Sequence, residues 1–121
     1  MNVKHIPNFI KASAKHLPFR NDVFETVTAF EVIEHLNNPF LAIKEMLRVC
    51  NPEIVLTCPH RFSWVAKMPA HISFFDITWF LKVAEKLGVR LKVDVTYGDF
   101  FNFGVIRFGR RILGLRVVMK K

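Results

Sequence analysis

Residues 17–52 read LPFRNDVFETVTAFEVIEHLNNPFLAIKEMLRVCNP, and Ile54 to Pro59 follow as IVLTCP. Strand-like and helix-like words alternate within this stretch. Phe24 to Phe30 (FETVTAF) is β-branched and mostly apolar, the pattern of a strand buried on both faces. Asn38-Pro39 offers an N-cap followed by proline at the first helical position. Ile43, Met46, Leu47 and Cys50 then recur at helical spacing and predict a core face, with Lys44, Glu45 and Arg48 turned to water. Asn51-Pro52 is expected to end the helix. Ile54 to Cys58 predicts a second buried strand, stopped by Pro59.

The alternation continues outward. Asn8 to Ser13 (NFIKAS) reads as a short strand, and Lys15 to Asp22 as a loop with a turn at Asn21-Asp22. Asp76 caps a helix whose stripe is Ile77, Phe80, Leu81, Ala84 and Leu87, with Gly88 at its left-handed end. Val89 to Tyr97 alternates Val89, Leu91, Val93 and Val95 against Arg90, Lys92 and Asp94, a half-exposed strand near a sheet edge. Phe101, Val105, Phe108 and Ile112 against Arg107, Arg110 and Arg111 predict a basic amphipathic helix interrupted by Gly104 and Gly109. Leu115 to Met119 is a last strand. Such an order predicts an α/β fold with a largely parallel sheet.

The 121 residues suit one domain, and 51% apolar composition excludes a disordered chain. No apolar run reaches the ~18 residues that span a bilayer. Met1 to Arg20 lacks a continuous apolar stretch, so no secretory signal is expected and a cytoplasmic location is. Cys50 and Cys58 read as buried free thiols. The net charge of +8 is concentrated at the ends. Lys4, Lys11, Lys15 and Arg20 stand in the first twenty residues, and Arg107, Arg110, Arg111, Arg116, Lys120 and Lys121 in the last 22, with no acid in either segment. Basic ends suit a nucleic acid, an acidic partner or an anionic surface, or simply a solvated exterior. The absence of Gln, with abundant Ile, Val, Lys and Arg, hints at a thermophile.

LPFRNDVFETVTAFEVIEHLNNPFLAIKEMLRVCNP, then IVLTCP and HISFFDITWFLKVAEKLG, resembles the C-terminal half of class I S-adenosylmethionine-dependent methyltransferases, closest to the type 11 group. The resemblance runs from Phe9 to Gly88, and Leu115–Met119 fits it too. It implies a truncated Rossmann-like fold in one partial domain over residues 1–121, mostly parallel with an antiparallel C-terminal strand pair. FIKASA would be the family's third strand, FETVTAFE its fourth and IVLTCP its fifth.

Four departures matter. Family members carry a Gly-rich G-x-G-x-G turn and an acidic residue ending the second strand, which holds the ribose. Neither occurs here, and the five glycines begin at Gly88. The family's Asp-Ala pair after the third strand is Ser13-Ala14. The Gly-Gly turn before the fifth strand is replaced by Asn51-Pro52-Glu53. Losing two carboxylate contacts, each about 1.5–3 kcal/mol, costs about two to four powers of ten in affinity. The lone chain is therefore expected to bind S-adenosylmethionine poorly and to be inactive. Ser13, Ala14, Leu17, Ala29 and Phe30 are the family positions left to contact the cofactor.

Glu31, Glu34 and His35 form the densest polar cluster, after the fourth strand, where open α/β sheets place ligands. In small-RNA 2′-O-methyltransferases, similar E-x-x-E-H and downstream His positions bind a divalent metal. The carry-over names Glu31, Glu34, His35 and His71, a set suited to Mg²⁺ or Mn²⁺. E-V-I-E-H also occurs in metal-free relatives, where it caps the helix or lines the substrate side, and no metal is expected here. His60 reads as a loop residue, His5 and His16 as exposed, and Trp64, Phe74, Phe75 and Trp79 as core or lid packing.

Three functions compete. The chain is one half of a split methyltransferase whose partner carries the Gly-rich motif, a non-catalytic remnant acting as a binding or regulatory module, or a basic nucleic-acid-binding protein. The fourth strand would expose a bare edge, Thr26 to Phe30, with no Lys, Pro or Gly to protect it, so a second copy foremost (a homodimer), or else the chain's own Asn8–Ser13 strand or a partner chain, is expected to cover it.

Overall fold

The computed structural model describes residues 7–61, 69, 73, 75–99 and 111–121. Strand β1 spans Phe24–Phe30, helix α1 Pro39–Val49, strand β2 Cys50–Pro59, helix α2 Ile77–Leu87, strand β3 Arg90–Asp99 and strand β4 Arg111–Lys120. They form a four-stranded sheet in the order β1-β2-β4-β3. β1 and β2 are parallel, joined through α1, while β4 runs antiparallel to both β2 and β3. The expected α/β fold with an antiparallel C-terminal pair is present, but the sheet is mixed, with one parallel pairing out of three.

The helix signals in the sequence act as their chemistry requires. The Asn38 side chain accepts a hydrogen bond from the Leu41 amide at 3.1 Å, and Pro39 opens α1. The Asp76 carboxylate accepts from the Trp79 amide at 2.9 Å at the start of α2. Gly88 closes α2 at φ 65°, a conformation that costs any residue with a Cβ.

Both helices cover the same face of the sheet. Ile43, Met46 and Leu47 of α1 and Phe80 and Val83 of α2 share one core with Ala29, Ile54, Leu56, Cys58, Leu115, Val117 and Met119. Those strand residues are linked across the sheet by register: Ala29 opposes Leu56, which opposes Val117. Phe75, Trp79 and Phe80 meet edge-on or tilted at 4.7–5.7 Å and extend this core, as expected of Phe75 and Trp79.

The alternate strand positions form three rows on the other face. These are Thr26–Glu53–Lys120–Arg90, Thr28–Val55–Val118–Lys92 and Phe30–Thr57–Arg116–Asp94. None of these twelve residues is buried, and Phe30 is 58% exposed. Among the described residues, no helix covers this face.

Five sequence expectations need correction. Asn8 to Ser13 forms no strand: only an isolated bridge joins Ser13 to His16, and Ile10 is 56% exposed. A strand needs a neighbour for its backbone groups, and none of the described strands lies alongside this segment. β1 is not buried on both faces, since Ala29 alone is buried in it. It lies at the sheet edge with one helical layer beside it. Asn51-Pro52 does not end α1 in a turn, because the chain enters β2 directly at Cys50, with a cis peptide before Pro52. β4 begins at Arg111, not Leu115, so Arg111 and Ile112 belong to a strand; the rest of the expected basic helix, Phe101 to Arg110, lies outside the described residues. Glu45 and Arg48 do not simply face water, for the reason given below.

Candidate functional site

The C-terminal end of β1 turns sharply. Glu31 adopts φ 54°, and its amide donates to the Thr57 carbonyl at 3.0 Å and to Thr57 Oγ1 at 3.2 Å. This pins the turn to β2 and leads into a 3-10 turn, Ile33–His35. Ile33 packs fully into the core and carries its neighbour Glu34 inward. Glu34 is 1% exposed, and neither carboxylate oxygen has a hydrogen-bond partner. His35 Nε2 stands 3.7 Å from Glu34 Oε1. Ser73 ties a further segment here, its amide donating to the Glu34 carbonyl and its hydroxyl to the Leu36 carbonyl.

Burial pushes the Glu34 carboxyl from 4.5 up to about 7, and the neighbouring Glu31 carboxylate raises it further against the pull of its own backbone amide. Burial also drives the Cys58 thiol far above its ordinary value, with Glu34 and Glu31 adding to the rise. Cys58 is thus an inert buried thiol, and both cysteines are free, as expected. A carboxyl that titrates near neutrality can hold or release a proton.

Beside this turn lies a cleft of about 190 Å³ lined by Ser13, Ala14, Lys15, His35, Leu36, Asn37 and Asn38. Ser13 Oγ accepts from the Lys15 amide at 3.2 Å. The segment that follows the cleft residues 13–15 is held by a clamp that the sequence reading missed. Arg48 donates to the Leu17 carbonyl at 3.0 Å, the Phe19 carbonyl at 2.8 Å and Asn21 Oδ1 at 2.9 Å. Glu45 pairs with Arg48 at 2.7 Å and accepts from the Leu17 amide at 2.9 Å. The Arg48 guanidinium and the Leu17 amide hold the Glu45 carboxyl down at about 2. The i,i+3 spacing of Glu45 and Arg48 was a usable signal for their pairing, but nothing local shows that both reach back to residues 17–21.

The candidate cofactor positions fall into separate surroundings. Ser13 and Ala14 line the cleft, and Leu17 packs partly buried against the core. Ala29 is buried beneath the helical layer, whereas Phe30 stands on the open sheet face. Glu31, Glu34 and His35 are brought together by the 3-10 turn, and of these His35 alone lines the cleft. His71, Trp64, Phe74 and His5 lie outside the described residues. Among the described residues, no three of the His, Cys, Asp and Glu side chains are grouped to hold a metal.

Residues 2–58 match the methyltransferase domain family. A methyltransferase candidate from Bacillus halodurans superposes with a TM-score of 0.69 at 17% identity, over 92% of this chain and 70% of that one. A SAM-dependent methyltransferase from Thermotoga maritima gives 0.71 at 16% identity, over 93% and 63%. A complex of the Trm112 methyltransferase activator of Haloferax volcanii with a methyltransferase candidate gives 0.65 at 13% identity, over 90% and 58%. A comparison with curated protein sequences returns no match. The chain has the fold of the class I methyltransferases. It spans 58–70% of the length of these three structures.

Proposed function

We propose that this chain is one half of a split S-adenosylmethionine-dependent methyltransferase, completed by a partner polypeptide that carries a Gly-rich turn and adds a strand to β1. The observation that supports this is the edge of β1. It pairs with β2 in parallel on one side, and no described strand pairs with the other. Parallel strands are normally covered on both faces, yet Ala29 alone is buried in β1. The Ser13–His35 cleft, beside the turn that follows β1, lacks the carboxylates and glycines that anchor the cofactor in the resembling family. The Haloferax volcanii neighbour, seen with an activator, is a precedent for a partnered arrangement.

Calorimetric titration with S-adenosylmethionine and S-adenosylhomocysteine tests the reading. The lone chain is expected to give no binding at tens of micromolar ligand. A low-micromolar dissociation constant for the lone chain overturns the need for a partner.

A second reading is favoured by a specific observation. Phe9, Ile10, Val23, Phe24, Phe30 and Val32 are exposed apolar side chains in the sequence around β1. Two copies could pair their Thr26–Phe30 edges antiparallel about a two-fold axis, giving a homodimer that acts as a non-catalytic binding or regulatory module. Sedimentation equilibrium separates the cases. A dimer that Thr28→Pro or Thr28→Lys dissociates supports this second reading, and a stable monomer at high micromolar concentration removes it.

A further inference from the structure

The corner of the open sheet face farthest from β1 carries a charge arrangement that folding alone does not favour. Arg90 of β3 and Lys120 of β4 are directly opposed and share a face. Like charges in that position destabilise a sheet. Lys92 stands on the same face, two residues from Arg90 and diagonal to Lys120. All three are exposed, and none makes an ion pair among the described residues. Glu53 opposes Lys120 from β2 without pairing with it. Arg116, the fourth cation of the face, is neutralised by Asp94 at 2.7 Å. Strand geometry sets Arg90 and Lys92 about 6.6 Å apart along β3, with Lys120 about 5 Å across. Long, flexible Arg and Lys side chains at this spacing can each meet a different phosphate of one extended polyanion.

We propose that Arg90, Lys92 and Lys120 form a contact surface for the phosphate backbone of a single-stranded nucleic acid. The chain's net charge of +8 supplies the long-range attraction, and the flat row of strands supplies a track for an extended backbone. A membrane fits less well. Val118 is the one apolar side chain set among these cations, it is half-buried, and three cations at about 1 kcal/mol each hold a surface weakly. This surface lies on the strands opposite the β1 edge, so it is compatible with a partner there and does not depend on the methyltransferase reading.

Fluorescence anisotropy with a labelled oligouridine of about 16 nucleotides tests the proposal. Binding by the full chain is expected at about 1–100 μM in about 50 mM salt, weakening steeply toward 200 mM. The triple variant Arg90→Gln, Lys92→Gln, Lys120→Gln should weaken binding at least tenfold and lower the salt slope by about 2. Lys44→Gln, Lys82→Gln, Lys86→Gln removes the same charge from the helical side and should change binding far less. Should the first triple variant lose its fold by circular dichroism, Lys92→Gln alone carries the test, with a slope change of about 0.7. No binding at low salt overturns the proposal. So does an equal loss in the helical-side variant, which reduces the effect to net charge. Cosedimentation with phosphatidylserine vesicles that needs these cations, without oligouridine binding, overturns it in favour of a membrane.

Discussion

Glu34 is the residue where sequence and environment conflict most. A buried carboxylate beside the Glu31 carboxylate costs the fold unless it is protonated. Its folded value of about 7 lies above the unfolded 4.5, so both states are protonated below pH 4.5 and no penalty exists there. Between pH 4.5 and 7 the unfolded state ionises first, and stability falls as pH rises. Above pH 7 the full penalty applies, on the order of 3 kcal/mol. Urea denaturation across pH 5 to 8 should therefore show declining stability, and Glu34→Gln should flatten that decline and stabilise the protein at pH 8. An unchanged pH profile in the variant would place the titration elsewhere. The sequence made Glu34 conspicuous through the E-x-x-E-H spacing, but not buried. Ile33 turns inward into the core, and the 3-10 turn takes Glu34 with it.

Among the elements, α1 was the most legible. Asn38, Pro39 and the apolar spacing define it within one residue at its C-terminal end, and Asn38→Ala should cost about 1 kcal/mol in thermal denaturation. Its outer surface was not legible. Glu45 and Arg48 have the look of a solvated pair, and only the packed structure shows them gripping residues 17–21. Arg48→Ala removes hydrogen bonds to two carbonyls, Asn21 and Glu45, and should lower the thermal denaturation midpoint. Glu45→Gln should speed hydrogen exchange at the Leu17 amide more than at the core amides of β2. Equal protection at Leu17 in that variant would mean that the loop is held by packing alone. The left-handed end of α2 offers a cleaner test. A Cβ on Gly88 meets nothing within 4 Å, so Gly88→Ala isolates the backbone cost, about 1 kcal/mol.

At the scale of the molecule, the alternation of strand and helix words was enough to give the class of fold and the β1–α1–β2 crossover. It failed at Asn8–Ser13, because a strand-like word becomes a strand only beside another strand. It also misjudged the burial of β1, whose apolar composition matches a strand covered on both faces although Ala29 alone is buried, while the unpaired edge at Thr26–Phe30 was expected. The open edge and the open face are the two consequences, and each carries one of the proposed partner surfaces. The strand order carries one more. β4 is the last element in sequence, yet it lies between β2 and β3. During synthesis β2 and β3 emerge earlier with no strand between them, and residues 111–120 must arrive before the sheet can close. Closure of the sheet is therefore expected only once residues 111–120 have arrived, with the β4-facing edges of β2 and β3 unpaired until then. A ribosome-bound chain stalled before Arg111 should stay protease-sensitive along β2, and release of the full chain should bring protection of β2, β3 and β4 together.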